Sequence, residues 1–95
     1  MADEVASEVG RVFDIELREP AISGYRWSIV SLPLGIHLVD ERRQTQDREH
    51  VGGALSHTFQ LKATKPGRYQ VSFQLKRQWE PESVDVKTVK VNVHA

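Results

Sequence analysis

Lys65-Pro66-Gly67-Arg68-Tyr69-Gln70-Val71-Ser72-Phe73-Gln74-Leu75-Lys76 reads as a turn running into a strand. Tyr69, Val71, Phe73 and Leu75 alternate with Gln70, Ser72, Gln74 and Lys76. A half-buried antiparallel strand needs this period of two, because successive side chains point to opposite faces. Lys65-Pro66-Gly67 fits a type II turn, with proline at the second position and a positive-φ glycine at the third. Tyr69 stands just inside the strand. Its hydroxyl has two readings: a tyrosine corner, bonding back to the preceding connection as in Greek-key sandwiches, or the wet tip of a core aromatic.

The same period extends outward from this stretch. Phe13, Ile15 and Leu17 alternate with Asp14, Glu16 and Arg18. Tyr25, Trp27 and Ile29 alternate with Arg26 and Ser28. Leu55, Phe59, Leu61 and Ala63 share one parity, and Val89, Val91 and Val93 close the chain in the same way. His57 has the parity of Leu55 and Phe59, which places it as a partly buried strand residue. Val84 and Val86 fall on the opposite parity from Val89, which predicts a bulge near Lys87-Thr88 or a change of sheet. Asp40 to His50 has no apolar stripe for a helix to bury. Its interleaved charges, Arg42, Arg43 and Arg48 with Asp40, Glu41, Asp47 and Glu49, read as a solvated loop.

Pro20 and Gly24, Pro33 and Gly35, Gly52-Gly53 and Pro81 punctuate these runs. About seven short antiparallel strands in 95 residues predict an all-β, immunoglobulin-like Greek-key β-sandwich. Residues 1–8 are expected to be a flexible N-terminal segment, and residues 9–95 a single domain.

Composition removes several functions. The 13 basic and 13 acidic residues balance, which argues against a nucleic-acid partner. No apolar run approaches the roughly 20 residues of a membrane span. The chain has no cysteine, so neither a disulfide nor a thiolate site exists. None of the four histidines, His37, His50, His57 and His94, stands at metal-ligand spacing from another. No nucleophile elbow and no phosphate-cradling glycine loop occurs. The expectation is therefore no catalytic residue, no metal and no cofactor: a monomer that works by binding. Location depends on the natural start, cytoplasmic if Met1 is native and exported if a signal peptide precedes the chain.

Three connections carry unusual content and could share one end of a sandwich. The first runs from Glu19 to Gly24. The second, His50 to Ala54, is glycine-rich and lets backbone approach a partner closely. The third, Arg77 to Ser83, holds Trp79 between Arg77 and Glu80. Trp and Arg are enriched at binding hot spots. From the residues alone Trp79 is either a core lid or an exposed anchor.

At these connections the chain resembles the chagasin-like inhibitors of papain-type cysteine proteases, over Val9 to Val93. Gly10-Arg11-Val12-Phe13-Asp14-Ile15-Glu16-Leu17 looks like the family's first strand. Glu19-Pro20-Ala21-Ile22-Ser23-Gly24-Tyr25-Arg26-Trp27 stands where the family has N-P-T-T-G-[YF]-x-W. Val51-Gly52-Gly53-Ala54 resembles the glycine-rich second loop, and Arg77-Gln78-Trp79-Glu80 stands at the family's R-P-W. There are departures. The asparagine is absent, the proline is displaced by one residue, Ile22 replaces the first threonine and Gln78 replaces the R-P-W proline. The resemblance implies a reversible, steric inhibitor whose loops enter the active-site cleft of a papain-like protease. It implies contacts from Ala21, Ile22, Ser23 and Gly24, from Gly52, Gly53 and Ala54, and from Arg77, Gln78 and Trp79. The residues alone leave a second reading, an immunoglobulin-like module that binds a protein or peptide along an exposed edge strand.

Overall fold

The computed structural model describes residues 3–20, 24–45 and 54–95. Its elements are seven strands: β1 (Asp3–Glu8), β2 (Val12–Pro20), β3 (Tyr25–Ser31), β4 (Ile36–Thr45), β5 (Ala54–Ala63), β6 (Gly67–Arg77) and β7 (Asp85–His94). They form a four-stranded sheet in the order β1-β7-β6-β3 and a three-stranded sheet in the order β2-β5-β4. The predicted two-sheet sandwich is what forms.

The alternating residues make the core. Phe13, Ile15 and Leu17 of β2, Phe59, Leu61 and Ala63 of β5, Val71, Phe73 and Leu75 of β6, and Val89, Val91 and Val93 of β7 are all buried. The rings of Phe59 and Phe73 meet across the sandwich with centroids 4.9 Å apart and planes tilted by 45°. A tilted pair of this kind contributes about 0.5–1.5 kcal/mol beyond its buried area. Trp27 of β3 is buried as well, and its indole Nε1 donates to the Arg18 carbonyl at 2.6 Å.

Several details depart from the sequence reading. Residues 3–8 form β1, which pairs with β7 in parallel, Asp3 opposite Val89 through Glu8 opposite His94. The sheets are therefore not wholly antiparallel, and this part of the N-terminus is not a free lead. No bulge interrupts β7, whose register against β6 is continuous from Asp85 to Val93. Val84 and Val86 are exposed: their parity places them on the solvent side. Gly67 has φ 146°, far from the roughly +80° of a type II third position. The Tyr69 hydroxyl donates to the Lys65 carbonyl at 2.7 Å, which makes the tyrosine corner.

The charged run is a strand, not a loop, as far as Thr45. In β4 the register against β5 shifts between Leu38 and Asp40. Such an extra residue exchanges the two faces of the strand beyond it. Before the shift, Ile36 and Leu38 stand opposite Ala63 and Leu61; after it, Glu41 and Arg43 stand opposite Phe59 and His57. The bulge thus aims two charged side chains along the row of β5 that faces the core.

Candidate functional site

Register brings the stems of the three connections to one end of the sandwich. Pro20, the last residue of β2, pairs with Ala54, the first of β5, so the first connection leaves beside the point where the second returns. Tyr25, the first residue of β3, pairs with Arg77, the last of β6, so the first connection returns beside the start of the third. Of the predicted contact residues, Gly24, Ala54, Arg77, Gln78 and Trp79 lie within this frame. Ala21, Ile22, Ser23, Gly52 and Gly53 lie outside the described residues.

Trp79 is exposed rather than a lid on the core, with 70% of its surface accessible. It lies across Gly24, where a Cβ would stand 2.7 Å from its Cη2. Gly24 also has φ 73°, a left-handed conformation that costs other residues roughly 1–2 kcal/mol. Two reasons therefore require glycine there. The Arg77 guanidinium carbon sits 4.5 Å from the centre of the Tyr25 ring and 5.9 Å from that of Trp79. Its Nη1 pairs with Glu80 Oε1 at 3.0 Å. The Glu80 N–H donates to the Arg77 carbonyl at 3.2 Å, and Lys76 Nζ donates to the Glu80 carbonyl at 3.2 Å. These bonds fix the turn that presents Gln78 and Trp79, both exposed, without the proline the family places before the tryptophan.

At the stems of the first two connections lies a cluster the sequence reading did not find. Glu19, expected to open the first connection, instead continues the inward row of Phe13, Ile15 and Leu17, with 1% of its surface accessible. Its Oε2 accepts from the Trp27 backbone N–H at 2.9 Å and faces His57 Nδ1 at 2.7 Å. Its Oε1 accepts from Arg43 Nε at 2.7 Å and from Nη2 of the same side chain. His57 is fully buried, not partly so, and stacks on Phe59 with centroids 4.3 Å apart. Its Nε2 faces Glu41 Oε1 at 2.7 Å. Burial alone pushes the Glu19 carboxyl up. The hydrogen bonds from Trp27, His57 and Arg43, with the charge of His57, outweigh it and hold the group below its ordinary value. The available signal was parity: Glu19 is a charge at an inward position, as His57 is on the facing strand.

Among the described residues, no three of the metal-ligating types converge to hold an ion. The arrangement offers shape and an aromatic surface on a rigid frame, which is the equipment of a binding protein. The description that matches the sequence is the chagasin family of peptidase inhibitors, I42, over residues 7–93, and the chain belongs to that family. Several solved structures share the fold. The cysteine protease inhibitor EhICP2 from Entamoeba histolytica is 22% identical with a TM-score of 0.78, the match covering 98% of this chain and 87% of that one. Amebosin is 21% identical with a TM-score of 0.72, over 96% and 88% of the two chains. PbICP-C, solved in complex with falcipain-2, is 21% identical with a TM-score of 0.62, over 98% and 91%. No curated protein sequence matches the chain.

Proposed function

We propose that residues 9–95, completed by β1, act as one reversible, steric inhibitory domain against papain-like cysteine proteases. The three connections at one end enter the active-site cleft, with no bond made or cut. The observation that carries this reading is Trp79, held exposed over Gly24 beside the Arg77–Tyr25 stack. A soluble domain gains nothing in its own core from an indole left 70% accessible. In a cleft the same ring supplies a large contact area already in position, and little ordering entropy is lost on binding. The proposed contacts are Ala21, Ile22, Ser23 and Gly24, then Gly52, Gly53 and Ala54, then Arg77, Gln78 and Trp79. Family membership and the complex of PbICP-C with falcipain-2 support the choice of partner.

The test is titration of active-site-counted papain with the purified protein, following hydrolysis of a fluorogenic peptide. Inhibition that reverses on dilution and leaves the protein uncut is expected. No inhibition at micromolar concentration by protein shown folded by circular dichroism removes the reading for this class of enzyme.

A further inference from the structure

The buried charges at the loop stems have no direct part in contacting a protease. Glu19 and His57 are sealed from solvent, and the side chains of Arg43 and Glu41 are 32% and 44% accessible. Burying such groups is costly unless every one is paired, and an apolar cluster of the same shape is often as stable. What an ionic cluster adds is direction, because each hydrogen bond holds its partners at one angle and distance.

The cluster's location shows what that direction fixes. Glu19 precedes Pro20 at the end of β2, and Trp27 lies at the start of β3, so the bond between them closes the stem of the first connection. Arg43 and His57 stand opposite one another on β4 and β5, the two sides of the second connection. One carboxylate therefore joins four strands from both sheets at the roots of two connections. We infer that Glu19 is a positioning residue for inhibition: it sets the first two loops relative to each other without itself touching the protease. This inference rests on the inhibitor reading for its consequence, but not for its geometry.

The experiment compares Glu19→Gln with Leu17→Ala, two residues earlier on the same inward row. Glu19→Gln keeps the shape of the side chain but loses the charge that faces Arg43 and His57. Leu17→Ala removes packing on the same strand, opposite His57 of β5, and leaves every charge of the cluster in the chain. Two readouts are taken on protein shown folded by circular dichroism: the inhibition constant against papain, and hydrogen exchange at the amides of Gly24, Tyr25, Ala54 and Leu55. Glu19→Gln is expected to weaken inhibition at least tenfold and to speed exchange at these four amides at least tenfold. Leu17→Ala is expected to change inhibition less than threefold.

Unchanged exchange in Glu19→Gln overturns the inference, whatever the inhibition shows. Equal loss of inhibition in Leu17→Ala also overturns it, because general stability would then explain both. If the parent protein fails to inhibit papain, the inhibitor reading fails, while the exchange comparison still decides whether Glu19 holds the loop stems.

Discussion

The indole of Trp79 rests on the backbone of Gly24, which joins the first connection to the third through a contact only glycine permits. A methyl group there would stand 2.7 Å from Cη2 and 3.1 Å from Cζ3, so the ring must move. The left-handed φ of 73° adds its own cost. Gly24→Ala is therefore expected to lose about 1–2 kcal/mol of stability. It is also expected to displace Trp79 and weaken inhibition by more than its stability loss explains. Urea unfolding read beside the inhibition constant separates the two effects. A variant that inhibits like the parent shows that the position of Trp79 does not matter to the partner.

Trp79→Ala makes the opposite division. Its side chain is mostly exposed, so its removal is expected to change stability by no more than about 0.5 kcal/mol. As the proposed anchor of the third loop it is expected to cost about 2 kcal/mol or more of binding free energy. A thermal melt and a titration of papain measure the two quantities. An unchanged inhibition constant removes Trp79 from the interface.

Phe73 lies at the other extreme, fully buried and packed on Phe59 from the facing sheet. Phe73→Ala is expected to cost about 3–5 kcal/mol, close to the stability of a domain this small. Equilibrium urea unfolding gives the value. A loss below about 1 kcal/mol would show that the two sheets do not meet at this ring.

The core was legible because strands buried on one face write themselves as alternation, and Phe13 to Leu17 or Tyr69 to Leu75 follow that rule without a break. The loop end was legible in outline, since Gly24, Arg77 and Trp79 are residue types with a specific use at a turn or an interface. The buried cluster was hidden for two physical reasons. Strict alternation continued from Ile36 and Leu38 would aim Asp40 and Arg42 inward; the bulge between Leu38 and Asp40 aims Glu41 and Arg43 inward instead. Nothing in a local stretch announces a bulge in a run of charged residues. The ion pairs are also distant along the chain, with Glu19 and Arg43 separated by 24 positions and Glu19 and His57 by 38. The parallel pairing of β1 with β7 was invisible for a related reason: it joins the two ends of the chain, and Asp3 to Glu8 carry too few apolar residues to show a period.

The tyrosine corner gives a smaller test. The Tyr69 hydroxyl donates to the Lys65 carbonyl across the β5–β6 connection at 2.7 Å. Tyr69→Phe removes that bond and leaves the ring, so it is expected to cost about 1 kcal/mol. The corner lies between strands rather than at the proposed contact loops, so the inhibition constant is expected to stay within twofold of the parent. A large loss of inhibition with little loss of stability would place this corner in the interface.

Glu19 makes a prediction about acid. Its carboxyl is held below its ordinary value of 4.5 in the folded protein, whereas the unfolded chain keeps a value near that figure. A carboxyl of this kind binds more protons when unfolded, so its contribution is present above the unfolded value and is lost as pH falls through the folded one. Other carboxylates titrate in the same range, so the parent curve alone does not isolate Glu19. The difference between the parent and Glu19→Gln does. The groups that face the carboxyl, Arg43, His57 and the Trp27 N–H, are present in both proteins, so only the carboxyl itself differs. The stability advantage of the parent is therefore expected to be full above the ordinary carboxyl value of 4.5 and to shrink as pH falls below it. Urea midpoints of the two proteins at a series of pH values measure it. A difference that stays constant across that range would mean that Glu19 is held by its shape alone and that its charge has no part in the stem of the loops.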